Sequence, residues 1–515
     1  MPKIYYFISQ RIRASHSNFS FPIAIALFVG LDYFDNTCFS FFISYTAGGV
    51  NSPPDELVWS ISAYAIASVL GILQQLWIVQ RIGYRYYLTI CLLGFSLGAI
   101  GVCLSESSTE LTLARALQGY CIGPMLSVCR ILLQNSFSGK ARGLALRFFL
   151  FCVLLASATG PLVGGNLIAK IGWQAPFIAT AFIGALLALL AFLTVPEKGR
   201  VKSELKTETH FWPYIVFAVA FSALQIALQQ TRFELFLSSP VLPTLTIIGL
   251  LALCWFVYHQ WNHPHPLLNL HAFSLDTYRT GLVIYMFFYY ISNALGFLIS
   301  RALESGLSYP VQNAGNLVGY TSLLSMSLMV LYFSYASKIN NKKWIIVPGC
   351  LIAALICYWL MNMSPDVSES WLFPPLLLRG ALLLSIALPT GGTTFSIFND
   401  DEYNHGYRIK NIVKQIIYSF STASVIILEQ HRNALHYTRL AENINLGNPN
   451  LKPWLDNLAT QLSSLPNDMI HSTSLTFIQQ NVIRQSELLS LQDCFLYLFI
   501  VSICAAIYSL IQKRI

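Results

Sequence analysis

Apolar runs of about 20 residues recur along this chain, each long enough to cross a hydrocarbon core of about 30 Å as a helix. About 14 such runs can be read, centred near Asp35, Ala67, Gly94, Ile122, Ala156, Gly184, Phe221, Gly249, Tyr290, Ser325, Ala353, Ser385, Phe420 and Phe499. With 55% hydrophobic and only 10% charged residues, the 515-residue chain is too apolar for a soluble protein of its length. It reads as an all-α integral membrane protein. The formal charge of +8 falls in short clusters between apolar runs, not along one basic face, so nucleic acid is not its partner. The first run carries Asp32 and Asp35 and lacks a small-residue cleavage site, so it is expected to be retained as a span and not removed as a signal peptide.

Short loops rich in Lys and Arg stay in the cytoplasm. With the N-terminus inside, that side receives Arg81, Arg85, Lys140, Arg142, the cluster from Lys198 to Lys206, Arg279, Lys342, Lys343, Arg408 and Lys410. The short loops opposite hold Lys170, Arg232 and Arg301. Both termini are then cytoplasmic, which requires an even number of spans. The runs divide into a six-helix half (1–194), a charged cytoplasmic linker (195–210), two extra spans (211–260) and a second six-helix half (261–515) that includes a polar outer segment at 431–487. All eleven cysteines lie in or at the edges of predicted spans and no CxxC occurs, so neither disulfides nor a metal site is expected. His263 and His265 read as surface histidines.

Three spans carry residues that apolar packing alone does not require. In LLASATGPLVGGNL (154–167), Ala156, Gly160 and Gly164 recur every four residues and leave one helix face almost bare, so another backbone can approach closely. Pro161 removes a donor and is expected to kink that helix. In LTLARALQGYCIGP (111–124), Arg115, Gly119 and Gly123 share one stripe, and a charge at membrane depth is costly enough to mark a functional candidate or a structural tie. In GLDYFDNTCF, Asp32 and Asp35 lie three apart, on roughly one helical face. The turn expected between the second and third spans, IVQRIGYRYYL, holds Arg81, Gly83 and Arg85.

This succession resembles the major facilitator superfamily, in particular its 14-span drug:proton antiporter branch, the EmrB-type multidrug exporters. Arg115, Gln118 and Gly119 match that branch's fourth-span R-x-x-Q-G. Gly160, Pro161, Gly164 and Gly165 match the end of its fifth-span antiporter motif, G-P-x-x-G-G. Asp35 falls at the acid of its first-span L-D-x-T motif. The loop motif is degraded: Leu76 stands where a glycine belongs and Gln80 where an aspartate belongs, leaving Arg81, Gly83 and Arg85 as the gating loop. PLLNLHAF (266–273) is similar to the lead-in to the ninth span, and residues 411–450 to the thirteenth span and its following loop, with Lys414 for the usual arginine.

The resemblance implies a fold of about 14 transmembrane helices arranged 6+2+6 and a proton-driven exporter of amphiphilic drugs, without a cofactor. It also implies a Gram-negative inner membrane and an EmrA-like periplasmic adaptor with an outer-membrane channel. Asp35 is the expected proton carrier, Arg115 its tuning partner and Asp32 an auxiliary acid. Tyr285, Phe288, Tyr289 and Asn293 fall near one face of the ninth span, where aromatic walls with a few polar groups suit an amphiphilic substrate. Export of an endogenous metabolite such as a siderophore or fatty acid stays open. A membrane acyltransferase is the rival from another class, since HAFSLD (271–276) fits an H-x4-D pattern.

Overall fold

In a computed structural model, residues 20–137, 139–195, 211–231, 240–335, 339, 341–442, 444, 449, 451–461 and 467–512 are described. Residues 196–210 of the expected linker, 445–448 of the expected outer segment and both chain ends lie outside them. The described residues contain helices and no strand. The first half comprises α1 (Ser20–Phe41), a short α2 (Ile43–Gly49), α3 (Pro54–Leu104), α4 (Ser108–Ile122), α5 (Met125–Ser136), α6 (Gly139–Lys170) and α7 (Ala175–Thr194). Next come α8 (Phe211–Gln230) and α9 (Val241–Asn262). Then follow α10 (Asp276–Arg301), α11 (Val311–Ser325), α12 (Ser327–Tyr335), α13 (Lys343–Leu360), α14 (Glu369–Arg379), α15 (Leu388–Thr394), α16 (Asp400–Glu442), α17 (Leu451–Gln461) and α18 (Asn467–Ile511).

Among the described residues, thirteen stretches are long and apolar enough to cross a membrane, and all the run centres read from the sequence fall within them. Two centres share α3. That 51-residue element contains one non-helical residue, Gly83, at φ 79°, ψ 165°, a conformation that L side chains rarely adopt. The expected loop between the second and third spans is therefore a single-residue break. Pro124 separates α4 from α5, while α6 runs through Pro161 without leaving the helical state. The start of α4 is set by Ser107, whose hydroxyl accepts the backbone N–H of Glu110 at 3.3 Å.

Packing puts α3 against α4 and α7, and α6 between α1 and α11. In the second half α13 packs on α18, and α16 touches α10, α18 and α3. Helix α8 bridges the two sets: Gln229 donates to Ser62 of α3 at 2.6 Å, and Gln225 donates to Ser419 of α16. Helix α9 packs on α8 and turns Leu250, Leu251, Val257 and Tyr258 outward, as a lipid-facing helix must. Further bonds tie α6 to α11, where Asn166 donates to Asn316 at 2.8 Å, and α16 to α3, where Arg408 donates to the Leu73 carbonyl at 2.6 Å.

The described residues of 431–487, a segment expected as a polar loop, are largely helical. At 43 and 45 residues, α16 and α18 are each about 65 Å long, twice what a bilayer core needs. The two helices are joined where Asp493 of α18 accepts from Arg432 and pairs with His436 of α16, both at 2.6 Å.

Candidate functional site

The two aspartates of α1 enter separate bond networks. Arg115 of α4 donates to Asp35 Oδ2 at 2.6 Å and to Gln118 Oε1 at 2.8 Å, and both members of the ion pair are 1% exposed. The guanidinium lies 4.2 Å from the ring of Phe39 and 4.6 Å from that of Tyr64, so π faces supply part of the environment that burial removes. Asp35 Oδ1 has no partner among the described residues. Asp32 accepts from the Tyr64 hydroxyl at 2.6 Å and from Asn36 at 3.1 Å through the same oxygen, and Asn36 also donates to Tyr64 at 2.9 Å. Tyr64 therefore touches both systems, its ring over Arg115 and its hydroxyl on Asp32.

The glycines read as a bare face do permit close approach. A Cβ on Gly160 would collide with Thr37, and one on Gly164 with Cys38, both on α1. Gly165 faces the second half: its Cβ would lie 3.0 Å from the Val311 carbonyl and 3.3 Å from the Cα of Gly315 on α11. In the fourth-span motif, a Cβ on Gly119 would strike the Tyr64 carbonyl, and the Ser68 hydroxyl donates to the Gly119 carbonyl at 3.1 Å. The stripe of α4 thereby brings Arg115 under α3. Near the Gly83 break, Arg81 is exposed and bonds its own helix at Trp77, whereas Arg85 is buried and donates to the Val195 carbonyl at 2.7 Å.

The ninth-span residues separate in role. Tyr285 and Tyr289 stack at 5.5 Å with 16° between their planes, and Phe288 packs in the hydrophobic core. Asn293 ties α10 to α16, donating to Ser421 and Thr422 at 2.8 Å. Opposite the tyrosines, α16 presents Tyr407, Lys410, Lys414 and Tyr418, spaced three or four apart on one face. Lys414 donates to the Tyr33 hydroxyl of α1 at 3.3 Å. Arg408 and Lys410, counted above as cytoplasmic loop cations, are instead 0% and 5% exposed, because α16 begins at Asp400 and carries both into the bundle. The first-span segment DYFDNTCF (32–39), expected to line a central cavity with these aromatics, contains Tyr33 and Asn36; sequence reading missed Tyr64, whose signal is a hydroxyl on an apolar run.

A sequence profile described as Major Facilitator Superfamily matches residues 25–420. The multidrug export protein EmrB of Escherichia coli (strain K12) is 20% identical over 477 residues, covering 92% of this chain and 91% of its own length. The fatty acid resistance protein FarB of Neisseria gonorrhoeae is 22% identical, covering 82% and 83%. Among solved structures, the bacterial homolog of the human lysosomal transporter Spinster, inward-facing and unoccupied, superposes with a TM-score of 0.62 at 13% identity over 96% of this chain and 97% of its own. The inward-open xylose transporter XylE from E. coli superposes with a TM-score of 0.55 at 14% identity, covering 80% and 91%.

Proposed function

The chain belongs to the major facilitator superfamily, and from that premise we propose that it is a proton-coupled exporter of amphiphilic small molecules or drugs, acting in a bacterial inner membrane. The multidrug and fatty acid resistance proteins it resembles along most of its length support export over acyl transfer. Two six-helix halves, 1–194 and 261–515, rock about a central chamber, with the bare face of α6 as the sliding contact between α1 and α11. The single observation that carries coupling is the Asp35 carboxylate, buried, with one oxygen on Arg115 and the other without a partner among the described residues. A carboxyl whose distance from a guanidinium, or access to water, changes between two states binds its proton with different affinity in each. That difference is what antiport requires. The lengths of α16 and α18 beyond what a bilayer core needs, with Asp493 tying the two helices together, support a docking stalk for an EmrA-like periplasmic adaptor leading to an outer-membrane channel.

The test is expression in a host stripped of its own efflux pumps, followed by everted vesicles carrying an imposed pH gradient. Lower accumulation of lipophilic drugs in cells is expected, together with collapse of the pH gradient when an exported drug is added. Higher accumulation, or a gradient indifferent to every compound exported, overturns the reading.

A further inference from the structure

Lys410 is buried in α16 beside a wall of rings. Its ammonium stands 4.1 Å from the ring of Tyr407, 5.5 Å from that of Tyr285 and 5.9 Å from that of Tyr289. No carboxylate and no hydrogen-bond acceptor reaches it among the described residues. The charges acting on it are both positive, Lys414 one turn along and Arg130 from α5. Lys414 has Asp32 of α1 as its opposing charge, and Arg379 of α14 adds a further cation beside Tyr418. Asp35 is held by Arg115. Around this wall α5, α14 and α16 therefore bring together four buried or half-buried cations, Arg130, Arg379, Lys410 and Lys414, and the acid acting on Lys414 is Asp32.

A buried ammonium is expensive unless a counter-charge or hydrogen bonds compensate it, and ring faces return only part of that cost. A surplus of positive charge at membrane depth, beside a flat aromatic wall, matches one ligand chemistry: an oxyanion attached to an apolar body. We infer that Lys410 with the ring faces of Tyr285, Tyr289 and Tyr407 forms a headgroup subsite for anionic amphiphiles, compounds bearing a carboxylate or a similar oxyanion. The ammonium donates hydrogen bonds to the anion, the tyrosine stack carries the apolar part, and Lys414 and Arg130 repel cationic competitors. The inference rests on the exporter reading only in treating this ligand as cargo; the anion site itself does not depend on it.

The experiment uses 11-(dansylamino)undecanoate and its primary amide, which differ only in the headgroup, with binding to the purified full-length protein read from dansyl fluorescence. The native protein binds the carboxylate at least roughly tenfold more tightly than the amide, the scale of one charge-assisted hydrogen bond. Lys410→Gln loses that preference while keeping its affinity for the amide, and Lys410→Arg keeps the preference. Equal binding of the two probes by the native protein, no binding of the carboxylate, or an unchanged preference in Lys410→Gln overturns the inference. Should Lys410→Gln fail to insert, the native ratio and Lys410→Arg decide. Efflux of the same probes from proteoliposomes is scored separately: a carboxylate preference in binding without transport keeps the subsite and removes the exporter reading, and transport without a preference does the reverse.

Discussion

Asp35 and Arg115 meet because Gly119 lets α4 approach the Tyr64 carbonyl, which brings the arginine into the gap beside α1. Asp35→Asn keeps the size of the side chain and removes its titration, so it should abolish uphill, proton-driven export while leaving insertion and drug binding in place. Counterflow in proteoliposomes checks this, because exchange without a gradient needs no net proton movement; uphill export by the variant with an unchanged pH dependence moves the carrier elsewhere. The acid and the arginine were legible in the sequence, since a charge in an apolar run is anomalous by itself. Tyr64 and the bond from Asn36 were not, because a hydroxyl or amide in a span is common and only the third dimension sets them on Asp32. Lys410 was misread for a different reason: the polar start of α16 looks like a loop, so the helical spacing of Tyr407, Lys410, Lys414 and Tyr418 was not taken as one face.

At the scale of elements, α6 is the contact on which two neighbours depend. Gly160→Leu or Gly164→Leu forces a branched side chain against Thr37 or Cys38, and overpacking of this kind costs about 1–3 kcal/mol or more. Loss of transport with retained membrane insertion is expected, measured as drug accumulation at matched expression. Full activity in both variants means the α1–α6 contact does not move during transport. This face was readable because a four-residue glycine repeat has few purposes in a lipid-embedded helix. The extent of α16 and α18 was not, since their polar ends carry no apolar run to count. Removal of 445–461, which takes out α17 and leaves both long helices, should spare insertion but impair export through an adaptor. Equal export by that deletion at equal expression removes the case for the stalk as a docking element.

For the whole molecule the outstanding quantity is orientation, and burial changes the argument for it. The cation count assigned Arg85, Arg408 and Lys410 to cytoplasmic loops, but all three are buried, and a side chain bonded inside the bundle contributes little to the bias that short loops exert during insertion. What remains among the described residues is Arg81, Lys140, Arg142, Arg279, Lys342 and Lys343 near one set of helix ends, against Lys170 and Arg301 near the other, with Arg301 paired to Glu429; the cluster from Lys198 to Lys206 lies outside the described residues. The bias survives at reduced size, and on it rests the proposal that the C-terminal end of α16 and the start of α18 lie outside. In a background with the native cysteines replaced, a cysteine at Trp454 on α17, which is exposed, should react with an impermeant maleimide in intact spheroplasts. One at Arg279, exposed at the start of α10, should react only after the membrane is opened. Labelling in the opposite sense inverts the protein, turns the stalk toward the cytoplasm and makes the adaptor impossible; it also reverses the direction in which Asp35 must pick up and release its proton, so that the same residues would describe an importer.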